Sequence, residues 1–200
     1  MDLAEGAEAV VYARRVIEAA LSRRQLPNHP SHGVFGDKGA CFVTLRTVPD
    51  DELRGCIGYT EAIMPLGECI QQCAVSAAFH DPRFPPVTSD EFPSIAVEVS
   101  VLTPAHEMYV KNRGGLPAEI IIGRDGLIVE YGAFKGLLLP QVPVEQGWNT
   151  KQFLDHTCVK AGLPPDAWMK SDKVKVYSFT AQVFDETAPG GKVKKRDLFR

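Results

Sequence analysis

Between Ser94 and Thr103 the side chains alternate strictly, and this pattern leaves little choice of local structure. Every odd position from 95 to 101 is Ile or Val, whereas the even positions include Glu98 and Ser100. Successive side chains of a strand point to opposite faces. The pattern therefore predicts a strand with one valine-rich face and one face that carries Glu98.

The rest of the chain mixes helical and extended patterns without regular alternation. Apolar spacing predicts helices at residues 2–26, 65–80 and 149–161. Further strands are predicted at residues 40–48, 53–59, 120–122, 127–131, 133–139 and 173–183. A turn at residues 50–52 would join the first two of these strands into a hairpin. Because the strands do not alternate with helices, we predict an α+β fold with a mainly antiparallel sheet flanked by helices.

Charge and length narrow the classes of partner. The 200 residues suit one large domain or two small ones, and the net charge is −3. A duplex-binding domain usually carries a basic face, so this balance argues against nucleic acid as a partner. Basic residues concentrate only in Gly191–Arg200. We expect this segment to be a loose, solvated tail, and contact with an acidic partner is the alternative.

The cysteines and the first residues indicate the compartment. Asp2, Glu5 and Glu8 do not resemble the basic start of a signal peptide. No apolar run approaches the length that spans a bilayer. The number of cysteines, five, is odd. We therefore expect a cytoplasmic protein with reduced thiols and no membrane association.

The segment Leu53–Gly58 has an unusual composition, Leu-Arg-Gly-Cys-Ile-Gly. As a strand it would have two faces, with Leu53, Gly55 and Ile57 towards the core and Arg54, Cys56 and Gly58 opposite. A cation beside a thiol lowers the thiol pKa, so Cys56 could serve as a nucleophile or redox residue. Gly58 would let another group approach closely. Alternatively, Cys56 fills a small buried space and Arg54 forms an ion pair.

A second polar segment, His80–Phe84, follows the predicted helix at 65–80. Its proline would hold Asp81 and Arg83 rigidly. Arg83 could then converge with Arg54 on an anionic ligand, because a guanidinium matches carboxylate or phosphate. The alternative is a structural turn in which the helix dipole favours His80.

Other chemical residues are assigned structural roles. Glu98 could accept a proton, but we expect it to pair with Arg54, because a buried carboxylate needs compensation. Cys69 and Cys73 share one helix face and are predicted to pack in the core. A metal site would need more ligands than this pair supplies. We therefore predict no metal and no cofactor.

Several blocks, in order along nearly the whole chain, resemble those of the AMMECR1 family. The blocks are Leu53–Gly58, Ala77–Ala78, Asp81–Val87, Glu98–Pro104, Gly123–Val129, Gly136–Val142, Gly147–Trp148 and Phe153–Leu154. The resemblance implies one family domain over residues 1–200, with a larger α/β subdomain, a smaller inserted subdomain and a cleft between them. The hexapeptide would lie near the cleft. No reaction is firmly assigned to the family, and its prokaryotic members imply MEMO-type and radical-SAM proteins as partners.

Two classes of function remain open. The first is a binding module whose cleft takes a small anionic ligand or a partner segment. Its predicted site residues are Arg54, Gly55, Gly58, His80, Asp81, Arg83 and Glu98. The second is an enzyme in which Cys56 is the nucleophile or redox residue, while Arg54 and Arg83 bind an anionic substrate. No general base is recognisable beside Cys56, so we prefer the first class.

Overall fold

The computed structural model describes residues 1–196, which form six α-helices and nine strands. The helices are α1 (Leu3–Leu21), α2 (Leu66–Phe79), α3 (Leu116–Glu119), α4 (Gln141–Glu145), α5 (Thr150–Lys160) and α6 (Ala167–Lys170). The strands are β1 (Lys38–Thr47), β2 (Leu53–Gly58), β3 (Met64–Pro65), β4 (Ile95–Leu102), β5 (His106–Glu107), β6 (Asp125–Tyr131), β7 (Phe134–Leu138), β8 (Lys175–Glu186) and β9 (Val193–Lys195). The predicted α+β fold with a mainly antiparallel sheet flanked by helices is confirmed. None of the helices within residues 1–196 combines the length and apolar character that crossing a bilayer requires.

The described chain divides into two compact units. Unit 1 consists of Met1–Leu102 and Gln182–Arg196, and unit 2 consists of Thr103–Ala181. The sequence of unit 2 thus interrupts that of unit 1, and β8 begins in one unit and ends in the other. The predicted cleft stays a prediction.

In unit 1, β1 is the middle strand and pairs with β2 and β4 in antiparallel registers. The predicted hairpin is therefore present. One face of these strands carries apolar side chains such as Val43 and Val97, which pack in one core with α1 and α2. This is the valine-rich face predicted for β4, and it fixes which side chains lie on the opposite face.

The two ends of unit 1 meet in the same core. Phe184 is fully buried, and its ring lies where a side chain at Gly6 of α1 would have to stand. Arg14, also on α1, donates hydrogen bonds to both carboxylate oxygens of Glu186 and one to the Ile95 carbonyl. The core of unit 1 therefore requires the residues that follow unit 2 in the sequence.

Local sequence signals explain where α1 begins and ends. The Asp2 side chain accepts a hydrogen bond from the Glu5 backbone N–H, and the Glu5 side chain accepts one from the Asp2 backbone N–H, so the first turn is capped at both positions. The predicted helix to residue 26 is too long. It ends at Leu21, because Arg23 adopts a positive φ of 51° that a helix cannot continue.

In unit 2, β6 lies between β7 and β8, and α5 packs against the β6–β7 pair. The predicted helix cap is confirmed at Asn149, whose side chain accepts the Gln152 N–H. The predicted strand at residues 120–122 is wrong. A turn occupies this position, because the Asp125 side chain accepts the Ile121 N–H and closes the backbone on itself.

The basic segment after Gly191 is more ordered than predicted. Val193–Lys195 forms β9, which pairs with β8, and the Arg196 N–H donates to the Val183 carbonyl. A loose tail is therefore wrong for this stretch, because a strand partner was available to it. Asp197–Arg200, which includes the last basic residue of the predicted tail, lies outside the described residues. Contact with an acidic partner stays a prediction.

Candidate functional site

A row of three polar side chains crosses the face of unit 1 opposite the valines. The β1 register pairs Thr44 with Cys56 of β2 on one side and with Glu98 of β4 on the other. Directly opposed residues of antiparallel strands point to the same face. The Thr44 hydroxyl donates a hydrogen bond to the Cys56 sulfur at 3.3 Å. Cys56 and Glu98 are predicted site residues, whereas Thr44, which brings a donor to the thiol, is not among the predicted residues.

The surroundings of Cys56 favour the neutral thiol. Burial raises the pKa of Cys56, and the Thr44 hydrogen bond offsets this only in part. Glu98 raises the Cys56 pKa further, whereas the positive charge of Arg83 opposes that effect. The pKa of Cys56 is therefore raised, whereas a guanidinium beside the thiol was expected to lower it. A thiol in this setting is a poor nucleophile at neutral pH.

Arg54 does not lie in the Cys56 row. Leu45 pairs with Gly55 and Arg46 with Leu53, so the register passes over Arg54 at a bulge. Nε and Nη2 of Arg54 each donate a hydrogen bond to the carboxylate of Glu91 at 2.9 Å. This bidentate pair also lowers the pKa of Glu91.

The expected pair between Arg54 and Glu98 is therefore wrong on both sides. Arg54 binds Glu91, and Glu98 forms a salt bridge with Arg196 at 3.0 Å. Both partners lie far along the chain from the residues they bind, and the bulge directs Arg54 away from Glu98. Glu98 and Arg196 line a pocket of about 230 Å³ in unit 1 that also includes Asp185.

Asp81 is the acceptor that organises the loop after α2. Its carboxylate receives hydrogen bonds from the Cys56 N–H at 2.8 Å and from the Arg83 N–H at 3.1 Å. The Arg83 side chain adds two more, from Nε at 2.9 Å and from Nη2 at 2.6 Å. These donors, with Arg83 foremost, hold the pKa of Asp81 well below its usual range. Asp81 thus joins β2 to the loop after α2, a link that the sequence did not predict.

Arg83 is fixed but still accessible. Its Nη2 group also donates to the Cys56 carbonyl at 3.2 Å. Half of the Arg83 side chain (50%) is exposed, against 2% of the Asp81 side chain. His80 is exposed as well and ends α2, where its N–H donates to the Ser76 carbonyl. The structure therefore brings Cys56, Asp81 and Arg83 together and leaves His80 beside them on the chain.

The two glycines of the hexapeptide make room for other parts of unit 1. A Cβ at Gly55 would lie 2.2 Å from the Ala77 carbonyl oxygen of α2. A Cβ at Gly58 would lie 2.3 Å from the Phe42 ring. The close approach expected at Gly58 is thus made by a side chain of the same protein. That either glycine also contacts a ligand stays a prediction.

Three buried thiols form a cluster in the core of unit 1, and the sequence indicated only two of them as neighbours. Cys69 and Cys73 of α2 converge with Cys41 of β1, and all three are fully buried. The Cys41 sulfur lies 3.3 Å from that of Cys69 and 3.9 Å from that of Cys73, and the last pair is 3.9 Å apart. The S–H groups of Cys41 and Cys73 lower the pKa of Cys69, whereas the contacts with Cys69 and burial raise the pKa values of Cys41 and Cys73. Within residues 1–196, this is the one group of at least three His, Cys, Asp or Glu side chains whose ligand atoms lie close enough together to hold a metal ion.

Comparison with known proteins places this architecture among archaeal relatives. A family model described as AMMECR1 matches residues 10–184. Protein MJ0810 of Methanocaldococcus jannaschii is 52% identical over 99% of this chain and 98% of its own length. Protein MK0488 of Methanopyrus kandleri is 49% identical over 99% of this chain and 96% of its own. The crystal structure of uncharacterised protein PH0010 from Pyrococcus horikoshii matches with a TM-score of 0.93 and 44% identity, over 98% of each chain.

Proposed function

This chain belongs to the AMMECR1 family, and on that basis we propose that it is a binding module which recognises an anionic group through Arg83 of unit 1. The anionic group belongs to a small ligand or to a segment of a partner protein. We name the Arg83 surface as Arg83 with its neighbours His80, Asp81 and Cys56. Binding at this surface involves no change of covalent bonds.

The observation that carries the proposal is the fixed and half-exposed state of Arg83. Within residues 1–196, its side-chain hydrogen bonds use Nε and Nη2, which leaves the N–H groups of Nη1 for a ligand. Because Asp81 already orients the guanidinium, a ligand need not order it on binding. Asp81 also cancels the charge of Arg83, so affinity would come from directed hydrogen bonds more than from net charge.

The surroundings of Cys56 support binding over catalysis. A nucleophilic thiol needs a lowered pKa or a base within hydrogen-bond reach. Cys56 instead has a raised pKa, and its sulfur accepts a hydrogen bond from Thr44. Arg54, the other arginine assigned to an anionic substrate, is engaged by both oxygens of Glu91.

The partners that the family resemblance implies form a second part of the proposal, together with the compartment that the cysteine usage indicates. We propose that MEMO-type and radical-SAM proteins are the partners, and that an acidic segment of one of them binds the Arg83 surface. The compartment is the cytoplasm. Co-purification of the full chain with each tagged partner tests this part independently of ligand binding.

The direct test compares two arginines in matched settings. Thermal unfolding of the full chain is measured with inorganic phosphate, citrate and a synthetic acidic peptide. We expect saturable stabilisation by at least one probe, lost in Arg83→Gln and retained in Arg124→Gln. Arg124 is the control because it also pairs with a buried aspartate and is 43% exposed. A shift that survives Arg83→Gln, or no shift with any probe, contradicts the proposal.

The reactivity of the Cys56 thiol distinguishes the binding module from an enzyme that uses Cys56 as its nucleophile. We expect Cys56 in the native chain to react slowly with iodoacetamide below about pH 8.5, the ordinary range of a thiol pKa. Mass spectrometry of the labelled peptides identifies the site. Fast labelling of native Cys56 at neutral pH would instead favour the nucleophile.

A further inference from the structure

We infer that Cys41, Cys69 and Cys73 form a three-thiolate site for a soft monovalent metal ion, Cu(I), in the core of unit 1. The three sulfur atoms come from a strand and a helix that pack together, β1 and α2. The site is separate from the Arg83 surface, and the inference does not depend on the proposed function.

The spacing of the sulfur atoms fits a single metal ion. A point equidistant from all three lies about 2.2 Å from each sulfur, close to the metal–thiolate distance of about 2.3 Å found for Zn–S bonds. An ion at this point would lie nearly in the plane of the three sulfurs. No backbone movement is needed to reach that geometry.

The number and type of ligands favour Cu(I) over zinc. Structural zinc is almost always four-coordinate. Within residues 1–196, the metal-competent group contains three thiols and no fourth His, Cys, Asp or Glu. Thiolates select soft ions, of which Cu(I) is the monovalent example. A trigonal set of three sulfurs therefore suits Cu(I) better than Zn(II).

Local groups compensate part of the negative charge that thiolates bring into the core. Each coordinating thiol gives up its proton to solvent as the ion binds. Cys69 lies in the first turn of α2, where the helix dipole favours negative charge. The Cys73 S–H donates a hydrogen bond to the Cys41 carbonyl at 3.6 Å, and this bond is given up with the proton when the thiol coordinates the ion.

Because all three cysteines are fully buried, the ion would enter while unit 1 folds or opens. Binding to the folded state alone then stabilises unit 1. Three thiols that merely pack as small apolar side chains would give no such stabilisation. This difference separates a metal site from ordinary core packing.

The test is Cu(I) titration of the reduced full chain without oxygen, with loading during refolding. We expect the chain to remove one Cu(I) from a chromophoric Cu(I) chelator and to unfold at a higher temperature once loaded. X-ray absorption of the loaded chain should show three sulfur neighbours at about 2.2 Å. This measurement needs no variant, so a variant that fails to fold leaves the inference testable.

Variants assign the ion to the cluster. We expect Cys69→Ala and the more conservative Cys73→Ser to lower Cu(I) affinity by more than about tenfold. Cys158→Ala is the matched control, because Cys158 is also fully buried but lies in unit 2. Equal losses in Cys69→Ala and Cys158→Ala would contradict the site. Two sulfur neighbours, displacement of Cu(I) by Zn(II), or failure to compete with the chelator would each overturn the inference.

Discussion

Each unit contains a buried aspartate bound by a half-exposed arginine, and the two pairs differ in what else the aspartate holds. Asp81 and Arg83 of unit 1 approach to 2.6 Å, and Asp125 and Arg124 of unit 2 approach to 2.7 Å. Asp81 also accepts the N–H of Cys56, 25 residues earlier, whereas Asp125 accepts the N–H of Ile121, only four residues earlier.

The two ion pairs are similar, but their aspartates connect different parts of the chain. Asp125 closes a turn that backbone hydrogen bonds from residues 124 and 125 to the Ile121 carbonyl already hold. Asp81 joins a strand to a distant loop and also fixes the orientation of Arg83. We therefore expect unit 1 to depend on its aspartate more than unit 2 does.

Asp81→Asn should cause the largest loss of stability, and it tests whether unit 1 depends on its aspartate more than unit 2 does. The new amide would direct a donor at groups that are themselves donors, from Cys56 and Arg83. We expect unit 1 to lose about 2–3 kcal/mol of stability. Hydrogen exchange of β2 and α2 amides measures this loss. Tryptophan fluorescence is the control, because Trp148 and Trp168 both lie in unit 2.

Acid should reproduce much of this effect in the wild-type chain. The folded-state pKa of Asp81 is lowered, so its stabilisation is complete above the unfolded pKa of about 3.9 and is lost as pH falls towards the folded value. The stability difference between wild type and Asp81→Asn should therefore narrow between about pH 5 and pH 2. Urea unfolding at each pH gives the difference. A constant difference would mean that the carboxylate charge is not what stabilises unit 1.

Asp125→Asn should cost less, about 1 kcal/mol, because the backbone bonds of its turn remain. Tryptophan fluorescence during urea unfolding measures the stability of unit 2 directly. If this loss equalled that of Asp81→Asn, the distance along the chain between the bonded groups would not matter.

The arginine variants should have the smallest effects on stability. Arg83→Gln and Arg124→Gln each remove a half-exposed cation, and solvent screens such pairs, so we expect losses below about 1 kcal/mol. Thermal unfolding without ligand checks both variants. A much larger loss in Arg83→Gln would mean that Arg83 serves stability more than recognition.

Sequence reasoning succeeded where the signal was local. The alternation at residues 94–103 and the cap at Asn149 both correspond to observed elements. The grouping of Cys56 with Asp81 and Arg83 also appears in the structure, because a strand and a stiff loop each present their residues in a fixed way.

The missed contacts depend on long-range registers that a single sequence does not reveal. The bulge at Arg54 redirects it to Glu91, and Glu98 finds its partner, Arg196, in the segment that follows unit 2. Cys41 joins Cys69 and Cys73 only because α2 packs on β1. The one sequence signal for the position of Cys41 is the apolar pattern of β1, which indicates that Cys41 is buried.

The divided sequence of unit 1 sets an order on its synthesis. Unit 2 is continuous from residue 103 to residue 181, so all of its described residues are synthesised before Phe184 and Glu186. Until then, Arg14 has no carboxylate from Glu186 and the core beside Gly6 lacks the Phe184 ring. The first half of the nascent chain must therefore wait, incompletely packed, for the last residues to be translated.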